Sequence, residues 1–303
     1  MVKINYTFGD FLNIKRKALL FTILAGFLWG TSFPAIKIGL EFVDAYMFAF
    51  LRFSLASIIM FLFLLLTKNL DINIAKKRCL WYLGILNGIA YLLQFVGMAY
   101  TTASKSSLFV NLSAIWVAML SWLILKEKFD NKKLLGIVFA ILGVFFITTN
   151  LDFSSLTQGM IYGDTLVLIA GFGWSFFIIY NKKIVSNAKN TFQLMAWVLI
   201  ITTLPLIPFV AFSSNVSLNL PVEAWLVILY TSFSWITPYY LWVGGLKHMS
   251  PVTSTIVLLI EIIVAIVISF LILKEGFTLI AGVGALLILL AIFLVSFKEQ
   301  KSI

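Results

Sequence analysis

The feature that most constrains this chain is a succession of ten apolar stretches separated by short, basic connections. Crossing a bilayer as a helix takes about 20 predominantly apolar residues. The stretches that meet this need are 18–40, 45–67, 79–101, 104–125, 133–150, 160–181, 192–212, 223–245, 250–273 and 277–297. None of the connections is long enough to fold as a soluble domain. Of the 303 residues, 62% are hydrophobic and only 11% charged, against about 25% charged in soluble proteins. Lipid must therefore be the solvent for much of the surface.

The net charge of +10 would suggest nucleic acid on a soluble protein. Here the cations sit in runs between apolar segments instead of on one basic face, so nucleic acid is not an expected partner. Such runs determine membrane orientation. With the N-terminus inside, 18 of the 22 Lys and Arg residues fall on the inner side; Lys37, Lys105 and Lys274 lie at outer ends and Arg52 within a span. Both termini are expected in the cytoplasm and the protein in the plasma membrane. Lys15-Arg16-Lys17 precedes an apolar run that continues to Leu40 through Trp29 and Pro34. A cleavable signal has an apolar region of only about 7–15 residues, so this reads as an uncleaved first helix.

Few groups could perform catalysis. One cysteine, Cys79, excludes an intrachain disulfide framework, and one histidine, His248, excludes multi-histidine metal sites. No phosphate-binding GxxxxGK[ST] loop or Ser/His/Asp set is present. The chain is therefore expected to be no enzyme and to need neither cofactor nor metal.

The sequence also resembles itself. LILKE occurs at Leu123–Glu127 and again at Leu271–Glu275, offset by 148, and Phe129 matches Phe277, Gly136 Gly284, Gly97 Gly245 and Tyr91 Tyr239 in register. AGFxW recurs at Ala25–Trp29 and Ala170–Trp174, offset by 145. Five spans per repeat places the second copy upside down. The expected fold is thus an all-α integral membrane protein with ten transmembrane helices as two inverted five-helix repeats. The expected divisions are a cytoplasmic segment 1–17, a first repeat 18–150, an external linker 151–159, a second repeat 160–297 and a cytoplasmic tail 298–303. Inverted repeats are a usual construction of secondary transporters, whose site lies at the midplane between them.

The motifs LWGTSFPAIK (Leu28–Lys37), LRF (Leu51–Phe53), AYTTASKSSL (Ala99–Leu108) and the two LILKE stretches resemble, in combination and order, the drug/metabolite transporter superfamily in its ten-helix EamA-type branch. The resemblance covers about residues 18–297. It implies a carrier with helices 1 and 6 beside a central cavity. The family often has proline thirteen residues before each loop glutamate; here those positions are Ala114 and Ile262, which puts any hinge made by that proline in doubt.

Mid-span polar and aromatic groups concentrate in helices 1, 3, 4, 6, 8 and 9, while helices 5 and 10, with Gly136, Gly143, Gly282 and Gly284, read as peripheral packing. Asn87, Tyr91, Gln94 and Met98 form one helical stripe; their repeat counterparts Trp235, Tyr239, Trp242 and Leu246 form another. Flat apolar walls with a few oriented polar groups suit an amphipathic solute, against which interfacial anchoring by Trp and Tyr is the plainer reading, preferred for Trp242. Trp29, Ser32 and Phe33 face Trp174 and Phe177, either around the cavity or as core. Pro34 is expected to bend helix 1 and free carbonyls that Thr31 could satisfy. Asn111 suits an interhelical hydrogen bond or a substrate contact. The expected cavity residues are therefore Trp29, Ser32, Tyr91, Gln94, Asn111, Trp174, Trp235, Tyr239 and Glu261.

Glu261 is the sharpest candidate. A carboxylate near mid-span is costly in its charged form, so it could couple transport to protons or bind a substrate ammonium; a structural pair, with Arg52 a possible partner, is the alternative. Arg52 reads as an anchor, Lys37 and Lys105 as snorkelling to the outer surface, and Glu127 and Glu275 as helix-end charges beside lysines. The function expected is export or exchange of small organic metabolites, such as amino acids or related amphipathic solutes, by alternating access, with a monomer sufficing. The alternatives are sugar-phosphate or nucleotide-sugar exchange, disfavoured because only Arg52 could hold phosphate, and, further off, a membrane-embedded enzyme or a channel.

Overall fold

In the computed structural model, residues 8–101, 109–156, 161–186, 190–214, 216–272 and 278–299, with 188 and 276, are described. The helices are α1 (Phe8–Gly39), α2 (Ala45–Leu66), α3 (Arg78–Tyr100), α4 (Ser113–Leu125), α5 (Asn131–Thr149), α6 (Ile161–Ser186), α7 (Thr191–Thr203), α8 (Val222–Leu246), α9a (Pro251–Leu258), α9b (Ile260–Ile272) and α10 (Leu279–Glu299). A single helical turn, Ile72–Ala75, and a 3-10 turn, Phe153–Leu156, lie in connections. The described residues form no strand. Among the described residues, eight helices are long and apolar enough to cross a membrane. Phe109–Leu125 is apolar but shorter, and α8, at 25 residues, is long but carries Tyr, Trp, Ser and Thr throughout.

Local chemistry explains the element ends. Asp44, Asp130, Asn190 and Ser250 each accept a first-turn amide of the following helix, which satisfies donors a helix start leaves free. Pro251 then sits at the first helical position, where its missing N–H costs nothing. α7 tightens into a 3-10 helix over Leu204–Phe212, which contains Pro205 and Pro208. α1 begins ten residues before the expected start at Ala18, because its first turns lie on the basic side of the apolar run.

The packing is two-fold. α1 lies along α8 as α6 lies along α3; α1 meets α9 as α6 meets α4; α3 meets α7 as α8 meets α2; and the pairs α2·α7, α4·α9a and α5·α10 map onto themselves. Adding five to each helix number reproduces the arrangement, as repeats related by a two-fold axis require. The atomic contacts obey the same operation. A Cβ on Gly97 would stand 2.9 Å from Gly163 O, and one on Gly245 would stand 2.7 Å from Ala18 O. Offsets of 148 and 145 interchange these pairs. α5 and α10 cross at Gly143 and Gly284, where each Cβ position would be 2.7 Å from the other's carbonyl oxygen, the close approach that small residues permit.

α4 and α9 are each broken, and at matching places. Leu112 separates a helical turn at 109–111 from α4, and Leu259 separates α9a from α9b. At the second break, Leu259 N–H donates to Ile256 O (3.2 Å) and Ile262 N–H to Leu259 O (3.1 Å), so three-residue steps replace α-helical ones. Ala114 and Ile262 lie in the first turn of the helix that follows. The interruptions expected from proline are thus present without it. Each faces a glycine: a Cβ on Gly26 would meet Ile260 Cγ2 at 2.5 Å and Leu258 O at 3.1 Å, and one on Gly171 would meet Phe109 O at 3.0 Å and Val110 O at 3.3 Å.

Candidate functional site

Where the two halves meet, the stripes of α3 and α8 come together as packed rings. Trp235 Nε1 donates to Tyr91 Oη at 2.9 Å. Phe53 of α2 lies against both, with centroids 4.7 Å from Tyr91 and 4.4 Å from Trp235. Trp174 meets Tyr91 at 5.0 Å. Tyr239 stacks on Trp235 at 6.1 Å, and Phe177, Trp242 and Trp29 continue the series. α1, α2, α3, α6 and α8 all contribute. Dispersion and edge-to-face geometry favour such a cluster. Its polar tips are satisfied by amides and hydroxyls, as burial demands: Trp174 Nε1 donates to Asn87 Oδ1 (3.2 Å), Asn87 Nδ2 to Thr202 Oγ1 (3.1 Å), Asn181 Nδ2 to Tyr239 Oη (3.1 Å) and Trp242 Nε1 to Ser254 Oγ (3.0 Å).

Beside this cluster, three polar groups are left out. Among the described residues, Trp29 Nε1 and Arg52 Nε are buried without a partner, as are Trp116 Nε1, Gln193 Oε1 and Ser296 Oγ, which are not part of this ring series, and no hydrogen bond or ion pair from a described residue reaches the half-buried Glu261 carboxylate. The repeat accounts for the first. Trp174, the counterpart of Trp29, donates to Asn87; the counterpart of Asn87 is Trp235, which offers no acceptor. All three adjoin the ring cluster or one another: the Arg52 guanidinium lies over Phe53, Trp29 packs on Trp242, and Gly30, next to Trp29, abuts the Glu261 carbonyl, with a Cβ position 2.6 Å away. Ser175, the counterpart of Gly30, donates to the carbonyl of Ser113, the counterpart of Glu261, at 3.3 Å.

Of the remaining expected site residues, Ser32 is buried and donates to Trp29 O (2.7 Å), Gln94 is buried on α3, and Asn111 is half-buried in the turn before the α4 break. Several expectations need correction. Trp242 is not an interfacial anchor: it is 2% exposed and packed among rings. Phe33, expected with Trp29 around the cavity or in the core, is exposed. Arg52 does not pair with Glu261; its Nη2 donates to Thr231 O (3.4 Å), its carbonyl accepts from Ser232 Oγ (2.9 Å), and its guanidinium lies 5.1 Å from the Phe53 centroid. Thr31 donates to Leu28 O (2.7 Å) and accepts from Tyr230, not to the carbonyl Pro34 frees. Glu127 pairs with Lys133 and accepts from Ser121, and Lys133 donates to Ser250 at 2.8 Å, so LILKE ties the end of α4 to the starts of α5 and α9a. Lys105, Lys274, Glu275 and residues 102–108 lie outside the described residues, as do the Lys37 and Met98 side chains.

The stripes did not single out Phe53, Asn181, Thr202, Thr231 or Ser254. Phe53 carried a signal in LRF, and Asn181 carried one as an amide in a span, obscured because the span was expected to end there.

A family model described as "EamA-like transporter family" matches residues 16–149 and 161–297. An "Uncharacterized transporter" of Archaeoglobus fulgidus is 26% identical over 295 residues, covering 96% of this chain and 100% of the relative. The "Uncharacterized transporter YyaM" of Bacillus subtilis is also 26% identical, covering 94% of each chain. A crystal structure of a protein 12% identical to this one superposes with a TM-score of 0.78 over 94% of this chain and 98% of that one, a likeness of fold alone.

Proposed function

The chain belongs to the EamA-like transporter family and is a multi-pass membrane transporter, and from that premise we propose that it is a secondary carrier of small amphipathic metabolites, amino acids or close relatives, acting by alternating access. The observation that carries this reading is the group of unpartnered polar atoms beside an aromatic cluster at the junction of the halves. A buried donor or acceptor without a partner costs about 1–3 kcal/mol, and a solute that supplies the missing partner recovers it. Glu261 suits an ammonium, Arg52 Nε and Trp29 Nε1 suit a carboxylate, and Phe53, Tyr91 and Trp235 offer a wall for an apolar side chain. A single cation gives phosphate too few partners, so sugar phosphates fit poorly.

The mechanism follows from the packing. The closely packed contacts of α3 with α6 and of α8 with α1 lie at opposite ends of the molecule. Exchanging the conformations of two inverted halves loosens one end as it tightens the other, and the breaks in α4 and α9 let each half bend beside the site. Glu261 would carry a proton when no ammonium occupies it. In this reading the termini are cytoplasmic, the membrane is the plasma membrane and the direction is outward or exchange.

The test is a metabolite panel screened for thermal stabilisation of the purified protein, followed by flux of each stabilising compound in proteoliposomes. Saturable uptake with counterflow is expected. Unsaturable flux at channel rates, or chemical conversion of the compound, contradicts a carrier.

A further inference from the structure

Away from the site, a cleft of about 430 Å³ opens at the basic end of the bundle, floored by α8 and walled by α1 and α7. Lys17, Lys247 and His248 line its mouth and none of its lining residues is acidic. Its depth is apolar: Phe21 and Tyr240 are exposed along it, Tyr240 meets Phe192 at 5.8 Å, and Gly244 leaves the floor open. Among the described residues, Lys247 Nζ donates to Ala188 O (3.0 Å), one of its three protons. The positive charge of the mouth comes from Lys17 and Lys247; the His248 imidazole, held below its ordinary pKa by burial and then by Lys247 and Lys182, adds ring N–H donor capacity beside them. A volume of this size suits a headgroup and the first carbons of its chains.

The pseudo-two-fold supplies a comparison within the molecule. At the other end, the counterparts of Lys17, Gly244, Lys247 and His248 are Tyr162, Val96, Ala99 and Tyr100. At these four positions the opposite end carries neither a cation nor a glycine, so the two-fold of the fold does not by itself dictate the basic cleft. Basic pockets between membrane helices are recognition sites for anionic headgroups.

We infer that the α1–α7–α8 cleft is a binding site for an anionic phospholipid of the basic-side leaflet, its phosphate held by Lys17, Lys247 and His248 and its chains laid over Phe21, Tyr240 and Gly244. The site lies apart from the transport site and does not depend on the substrate.

Native mass spectrometry of the full-length protein, titrated with phosphatidylglycerol or phosphatidylcholine, tests this. Phosphatidylglycerol should bind at least about fivefold more tightly, the effect of roughly one interfacial cation. Replacing the exposed pair together (Lys17→Gln with His248→Gln) should remove that preference while the melting temperature in phosphatidylcholine stays unchanged. Gly244→Val copies the opposite end, keeps every charge, and should also weaken phosphatidylglycerol; it carries the test should the double variant fail to fold. Equal binding of the two lipids by the wild type, a preference that survives both variants, or displacement of phosphatidylglycerol by millimolar inorganic phosphate would each overturn the proposal, the last by revealing a free-anion site.

Discussion

Glu261, Trp29 and Arg52 share a property at the residue scale: each carries a polar group that its packed surroundings do not satisfy. Such groups are rare and each calls for a reason. If Glu261 serves transport, Glu261→Gln should abolish the response of uptake to an imposed pH gradient without lowering the thermal midpoint, since no partner is lost. Unchanged gradient-driven uptake would contradict coupling, and a fallen midpoint would reveal a structural role. Tyr91 is the opposite case. Removing its hydroxyl in Tyr91→Phe strands the Trp235 indole N–H and should cost about 1–3 kcal/mol, measured by chemical denaturation in detergent. The stripes containing Tyr91, Trp235 and Tyr239 were legible in the sequence because helical spacing puts them on one face. What spacing could not reveal was whether a ring faces water, lipid or another ring, so Trp242 read as an anchor. Phe53 joined the cluster from α2, a helix whose face no stripe marked.

Two broken helices dominate the element scale. Sequence reasoning tied a hinge to proline and found Ala114 and Ile262 instead, yet both breaks are present, seated on Gly26 and Gly171. These positions occupy first turns, where proline displaces little helical bonding. Ile262→Pro should therefore fold and melt within about 1 kcal/mol of wild type, the worth of the one hydrogen bond it removes. Val267→Pro, in the body of α9b, should cost about 3 kcal/mol or more. Equal losses at both sites would mean that the break is not a built feature. Filling the seat is the complementary experiment: Gly171→Val pushes into the Phe109 and Val110 carbonyls and should destabilise by about 1–3 kcal/mol, read as a lower melting temperature.

For the whole molecule, the architecture was legible because the bilayer leaves so few options and because one repeat predicts the other. Apolar runs located the helices, and the LILKE and AGFxW matches anticipated a two-fold arrangement that reappears in the contacts of Gly97 with Gly163 and Gly245 with Ala18. The sites where the symmetry fails, Asn87 against Trp235 and Ser113 against Glu261, carry the proposed chemistry, and their consequence for Trp29 became visible only with both halves in place. The central claim is that solute crosses by exchange between those halves. Distances between spin labels test it most directly, with one pair at the ends of α3 and α6 (Tyr100→Cys, Tyr162→Cys) and one at the ends of α1 and α8 (Arg16→Cys, His248→Cys), each in a Cys79→Ala background. With a transported solute, the account predicts that one distance lengthens in the population where the other is short, so that the two ends never open together. Both ends open at once, or both distances fixed while flux continues, would contradict it.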